Sequence, residues 1–153
     1  MTFAFRIVKE QHADSAFSGE GAARFGGRWN SRGVRVVYAS QSLSLAALET
    51  LVHLSPPVSF KYVAFRLEFD DELIERISLT TLPSDWRIEP PPPSTRTIGD
   101  EWVRSARSAV LGLPSTLIPA ERNFLINPAH RDFRRVSVDK AEPFAFDPRV
   151  LRP

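Results

Sequence analysis

Four consecutive prolines, Pro90–Pro93, constrain this chain more than any other feature, because such a run fits neither a helix interior nor a central strand. The stretch Glu89–Ser94 is therefore read as an extended surface linker. It divides a chain of 153 residues, and neither part is large enough to bury a comfortable core alone. The expectation is one compact domain over residues 1–153 that packs across the linker, with its core at about 5–138.

Periodicity places short strands on both sides of the prolines, with helices between them. Thr2–Val8 alternates Phe3, Phe5 and Ile7 with polar neighbours, as a half-buried strand does. Trp29 leads through the turn-like Asn30-Ser31-Arg32-Gly33 into a strand over Val34–Ala39, and together they read as a hairpin. Ser42 is a fitting N-cap for a helix over Leu43–Leu54 that stops before Ser55-Pro56-Pro57. Phe60–Phe69 alternates as a strand, and Leu73–Ile77 fits either type. Gly99–Arg107 reads as a short helix; Val110–Leu113, Asn123–Ile126 and Arg135–Val138 read as strands. The fold class is α+β, with a mixed α/β sheet in one domain.

Composition removes several function classes. There is no cysteine, so a disulfide framework and a thiolate metal site are excluded. His12, His53 and His130 lack metal-ligand spacing, and no metal is expected. Met1–Arg6 has no basic region followed by an apolar core, and no apolar run reaches membrane-spanning length. A cytoplasmic location is the expectation. The net charge is +2, and lysine occurs only at 9, 61 and 140, so arginine carries nearly all the positive charge. That bias suits a protein gripping phosphate through planar guanidinium forks. An arginine-rich genome would produce it too.

Three residues stand out for chemistry. In Gly26-Gly27-Arg28-Trp29-Asn30, two glycines allow close backbone approach and Arg28 follows at once. Arg28 is a diphosphate ligand or a surface residue at a hairpin entry. Glu49 sits in a helix that is apolar on almost every face, with Leu45, Ala46, Val52 and His53 three and four positions away. Such a helix is expected to be largely buried, and a buried carboxylate needs a partner. Glu49 therefore reaches a cleft or faces a cation, with Arg28 the leading candidate. A purely structural Glu–Arg pair satisfies the same requirement. Ser115 follows an apolar strand in Leu113-Pro114-Ser115-Thr116, without the flanking glycines of a nucleophile elbow. Its hydroxyl orients a ligand or closes a turn. Tyr38, at the end of its strand, offers a ring for stacking or belongs to the core. Asn127-Pro128-Ala129-His130 is a polar cluster at a strand end, where sites often form. The Gly19–Arg24 segment lacks the third glycine of a dinucleotide fingerprint, and no GxxxxGK[ST] occurs.

Taken in order, these segments resemble the RES domain of bacterial toxin–antitoxin systems. The likeness rests on Gly26–Asn30, Val36–Ser40, Ala46–Glu49, Leu113–Ser115 and Asn123–His130. Nothing between Phe69 and Trp102 contributes to it. The resemblance implies an ADP-ribosyltransferase-like fold with a central cleft, and NAD as substrate rather than a prosthetic group. NAD would be cleaved by hydrolysis, or by phosphorolysis with inorganic phosphate as co-substrate, or its ADP-ribose would pass to a protein. The catalytic set becomes Arg28, Glu49 and Ser115, with Gly27, Trp29, Tyr38, Asn127 and His130 binding NAD. In that scheme Glu49 stabilises an oxocarbenium-like state, Arg28 holds the diphosphate, Ser115 orients the ribose or the amide, and Tyr38 stacks on nicotinamide. An Xre-type antitoxin would block the cleft and carry any DNA contact, and the expected assembly is a homodimer. Two other readings compete. One is an RNA-binding or nuclease toxin using His130, Arg131, Phe133, Arg134 and Arg135. The other is a serine hydrolase built on Ser115, His130 and Asp132.

Overall fold

The computed structural model describes residues 1–54 and 60–151. Its centre is one sheet built from β1 (Thr2–Lys9), β2 (Val37–Ser40), β3 (Tyr62–Phe69), β4 (Ile74–Arg76), β5 (Val110–Pro114), β6 (Arg122–Ile126), β7 (Ser137–Val138) and β8 (Glu142–Phe144). The order is β4-β5-β6-β2-β1-β3-β7, with β8 following β7 along the same edge of β3. Only the β4–β5 pair is parallel among the described strands. The linker joins α3 (Pro93–Ser105) to the strands before it, so segments on both sides of the prolines share one sheet and one domain.

The period-two pattern of the strands decides which residues meet on each face. On one face Ala4, Val37, Ala39, Val63, Phe65, Leu67, Phe69, Val110, Phe124 and Ile126 form a core, closed by Ala16 and Val136. On the other, Leu111, Leu113 and Leu125 pack with Trp29, Val36 and Trp102. Tyr62 breaks the alternation of β3 because the strand end is covered by Phe146, edge-on at 5.3 Å. The ladder between β1 and β2 is a single register pair, Phe5 opposite Ser40. Beyond that pair the Tyr38 carbonyl is taken by Arg6, whose Nη1 donates to it at 2.9 Å while Nε donates to the Ala16 carbonyl. Burial draws the Arg6 guanidinium down to about 10.

Several elements differ from the sequence reading for physical reasons. Gly26–Ala39 is not a hairpin. Gly27 and Asn30 close their own tight bridge, the Asn30 amide donates to the Ala22, Ser31 and Val34 carbonyls, and β2 pairs with β1 and β6 instead. A short helix, α1 (Glu20–Phe25), precedes that bridge. Helix α2 (Leu43–Leu51) has the expected cap, Ser42 Oγ accepting from the Leu45 amide at 3.1 Å. It is not buried as a whole: Leu45 and Ala46 are covered, whereas Leu43, Leu48 and Val52 are exposed. The stop assigned to Ser55-Pro56-Pro57 lies outside the described residues. Helix α3 starts two turns earlier than Gly99, because the last proline occupies its first turn, where a missing N–H is tolerated. No helix among the described residues is long and apolar enough to cross a membrane.

Candidate active site

Glu49 projects from α2 toward the start of β6 and the turn after β5. Its Oε1 accepts two hydrogen bonds of 2.7 Å, one from Ser115 Oγ and one from Asn123 Nδ2. Asn123 is oriented in turn by Ser40, whose hydroxyl donates to Oδ1 at 2.7 Å. The amide assignment is forced, since a carboxylate only accepts. Ser40 and Asn123 are register partners on neighbouring strands, so the sheet itself sets their distance. Glu49 Oε2 has no hydrogen-bond partner among the described residues, and the side chain is half-buried. One oxygen is anchored and the other is available.

Ser115 is fully buried and its hydroxyl is saturated. Besides donating to Glu49, Oγ accepts from the amides of Leu117 and Ile118, each at 3.1 Å. Of the two sequence readings of Ser115, the structure shows the turn: Oγ closes it, and its proton goes to Glu49. It has no proton left for a ligand. Asn123, which sequence reasoning did not single out, completes the set. Its signal was an amide side chain beside the apolar run Phe124–Ile126, on the face occupied by Leu125.

Arg28 does not pair with Glu49. Its Nη1 donates to the carbonyls of Trp86 (3.0 Å) and Ile88 (2.8 Å), and Nη2 meets Glu89 Oε2 at 2.6 Å. The guanidinium is mostly buried, with a side-chain exposure of 12% against 71% for Glu89. The cation expected to balance Glu49 is thus matched to another carboxylate, and two neutral donors serve Glu49 instead. The segment Trp86–Glu89 nonetheless spans both groups: Arg87 Nε donates to the Thr116 carbonyl at 3.0 Å, one residue past Ser115.

The loop carrying Arg28 is clamped by α3. Thr95 Oγ1 donates to the Arg28 carbonyl at 2.7 Å, and Asp100 accepts from the Ser31 amide and hydroxyl. Between them Gly99 lies so close that a Cβ there would sit 1.6 Å from the Trp29 carbonyl oxygen. Gly27 is needed for a similar reason, since a Cβ would fall 2.6 Å from the Tyr38 hydroxyl. That hydroxyl donates to Asn30 Oδ1 at 2.6 Å and accepts from the Trp29 amide at 3.2 Å. Burial is the main cause that raises the Tyr38 phenol well above its ordinary range; the Trp29 amide and Arg28 oppose it. Trp29 itself is buried, with its indole in the second core cluster rather than open to a ligand.

Asn127 and His130 are not brought to this group. They follow β6 at the end opposite Asn123 and cap local structure. Asn127 Oδ1 accepts from the Ala129 amide, His130 Nδ1 accepts from the Asp132 amide, and His130 Nε2 meets the Ala106 carbonyl at 2.9 Å. The Ser115–His130–Asp132 hydrolase arrangement is therefore not formed. Phe133 packs against the first core cluster and Arg135 pairs with Glu72, which weakens the nucleic-acid patch as well.

Comparison with known proteins agrees with the fold. The family model for the RES domain matches residues 3–147. "Toxin Res" of Yersinia enterocolitica is 40% identical over 95% of this chain and 97% of its own. "Prs ADP-ribosylating toxin" of a Sphingobium species is 40% identical over 99% of both chains. Among solved structures, the M. tuberculosis MbcT-MbcA toxin-antitoxin complex matches 94% of this chain and 84% of the chain compared, with a TM-score of 0.75 at 14% identity. That likeness speaks to the fold alone, a single mixed α+β domain. With a family match across nearly its whole length, this chain belongs to the RES domain family.

Proposed function

We propose that this protein is the toxin of a toxin–antitoxin pair and cleaves NAD at the nicotinamide–ribose bond. The observation that carries this reading is Glu49, anchored through one oxygen by neutral donors and with the other free. Heterolysis of the bond sends its electron pair to nicotinamide and leaves an oxocarbenium-like ribose. A fixed carboxylate beside the anomeric carbon stabilises that charge without reorganising at the moment of reaction. A cation pairing with Glu49 would cancel the effect, so the lack of one among the described residues suits the chemistry. Water then adds to the anomeric carbon, giving ADP-ribose and a proton; with phosphate as acceptor the product is the ribosyl phosphate. Arg28, one peptide from Gly27 and linked to the Ser115 turn through Trp86–Glu89, would hold the diphosphate in this reading. Tyr38, with its hydroxyl committed to Asn30 and Trp29, offers only its ring.

The test is nicotinamide release from NAD with and without phosphate. Glu49→Gln should lower the rate by roughly 10²–10³-fold or more. Wild-type protein that leaves NAD intact under both conditions would overturn hydrolysis and phosphorolysis. Transfer of ADP-ribose to a protein is the second reading, favoured by the name of the Sphingobium relative. Label from NAD appearing on a protein band in cell extract, dependent on Glu49, would select it. An enzyme that consumes NAD harms its own cell unless restrained. An antitoxin covering the Glu49 site is therefore expected, of the Xre type that the resemblance implies.

A further inference from the structure

We infer that Glu89 is a specificity-determining residue of this site, holding on Arg28 the place that a substrate's diphosphate must take. The inference rests on the reading of Arg28 as the diphosphate ligand. Both protons of Arg28 Nη1 are committed to the Trp86 and Ile88 carbonyls. What remains is the edge formed by Nε and Nη2, the edge through which a guanidinium grips a carboxylate or phosphate with two parallel bonds. Nε has no hydrogen-bond partner among the described residues, and Nη2 makes one contact, to Glu89 Oε2 at 2.6 Å. Glu89 thus holds Nη2, one of the two groups of that edge, with a single oxygen from a side chain that is 71% exposed.

This is a replaceable contact on a fixed cation. Arg28 stays in place without Glu89, because two carbonyls and the buried stem hold it. Glu89 swings away by side-chain rotation alone, while the prolines that follow it restrict the backbone that carries it. An incoming diphosphate offers two charge-assisted bonds against one and displaces it. A neutral or singly charged fragment has no such advantage and meets the carboxylate as a barrier. Glu89 therefore sets a threshold at Arg28 that a ligand gripping through two charge-assisted bonds clears and one gripping through a single bond does not.

The experiment uses inorganic pyrophosphate as probe, by titration calorimetry on wild type, Glu89→Gln and Glu89→Ala, with Glu101→Gln on the exposed face of α3 as control. Both Glu89 variants should bind pyrophosphate roughly tenfold more tightly, as loss of a competing charge predicts. The control should match wild type. KM for NAD should fall by a similar factor with kcat little changed. Pyrophosphate binding that is unchanged or weaker in both Glu89 variants overturns the inference, whatever the protein does with NAD. Absence of NAD turnover in wild type overturns the proposed reaction instead, and the pyrophosphate result still decides the role of Glu89.

Discussion

At the residue scale, the site is a set of hydrogen bonds from neutral donors that ends on a carboxylate: Ser40 to Asn123, Asn123 to Glu49, and Ser115 to Glu49. Asn123 and Ser115 act through Glu49, so they are positioning residues. Asn123→Leu keeps the branching and heavy-atom count of the side chain but removes one donor to Glu49. Nicotinamide release is expected to fall by about 10²-fold in kcat with KM nearly constant, the signature of a misplaced catalytic group. Ser115→Ala has a further consequence, because the Leu117 and Ile118 amides lose their acceptor. Urea unfolding should show a loss of about 1–3 kcal/mol for that variant. Glu49 was legible in the sequence as a carboxylate that needs partners. The identity of those partners was not, since they lie 66 and 74 residues away along the chain.

At the element scale, α3 decides where Arg28 stands. One helix face presents Thr95, Gly99 and Asp100 to the loop at 28–31, with direct backbone contact at Gly99. Gly99→Ala forces a methyl group into the Trp29 carbonyl, and neither backbone yields cheaply. A destabilisation of about 3 kcal/mol is expected, at the upper end for overpacking, measured by thermal or denaturant unfolding. The sequence placed a helix here but began it too late, at the glycine rather than at the last proline. Its reading of α2 failed differently. Apolar residues on almost every face suggested a largely buried helix, yet it covers the sheet with one side only, and nothing among the described residues covers Leu48 and Val52.

At the scale of the whole molecule, burial of both tyrosines ties the fold to alkaline pH. The chain has two, and burial raises both phenols in the folded state; the Tyr62 hydroxyl has no partner among the described residues. The unfolded chain loses these protons first, above about pH 10, so it then binds fewer protons than the native protein. Stability from this source is fully present below that pH and declines above it. Arg6, drawn down to about 10, acts in the opposite sense, because there the unfolded chain retains the extra proton. Tyrosinate absorbance isolates the tyrosines: little is expected at pH 10, followed by a rise that coincides with loss of the circular-dichroism signal. Half-ionised tyrosine in still-folded protein at pH 10 would contradict their burial.

The sequence by itself determined the single α+β domain, the strands β1, β3, β5 and β6, the Ser42 cap, and the family to which the ordered motifs point. These follow from local rules: period, capping and short segments that require particular residue types. It also marked Glu49, because a charge among leucines conflicts with its surroundings wherever the chain goes. Only the tertiary structure decided which partner each charge received. Glu49 went to Ser115 and Asn123, and Arg28 to Glu89. Pairing across a sheet and over a linker depends on which distant segments pack together, and no local pattern in a single chain encodes that choice.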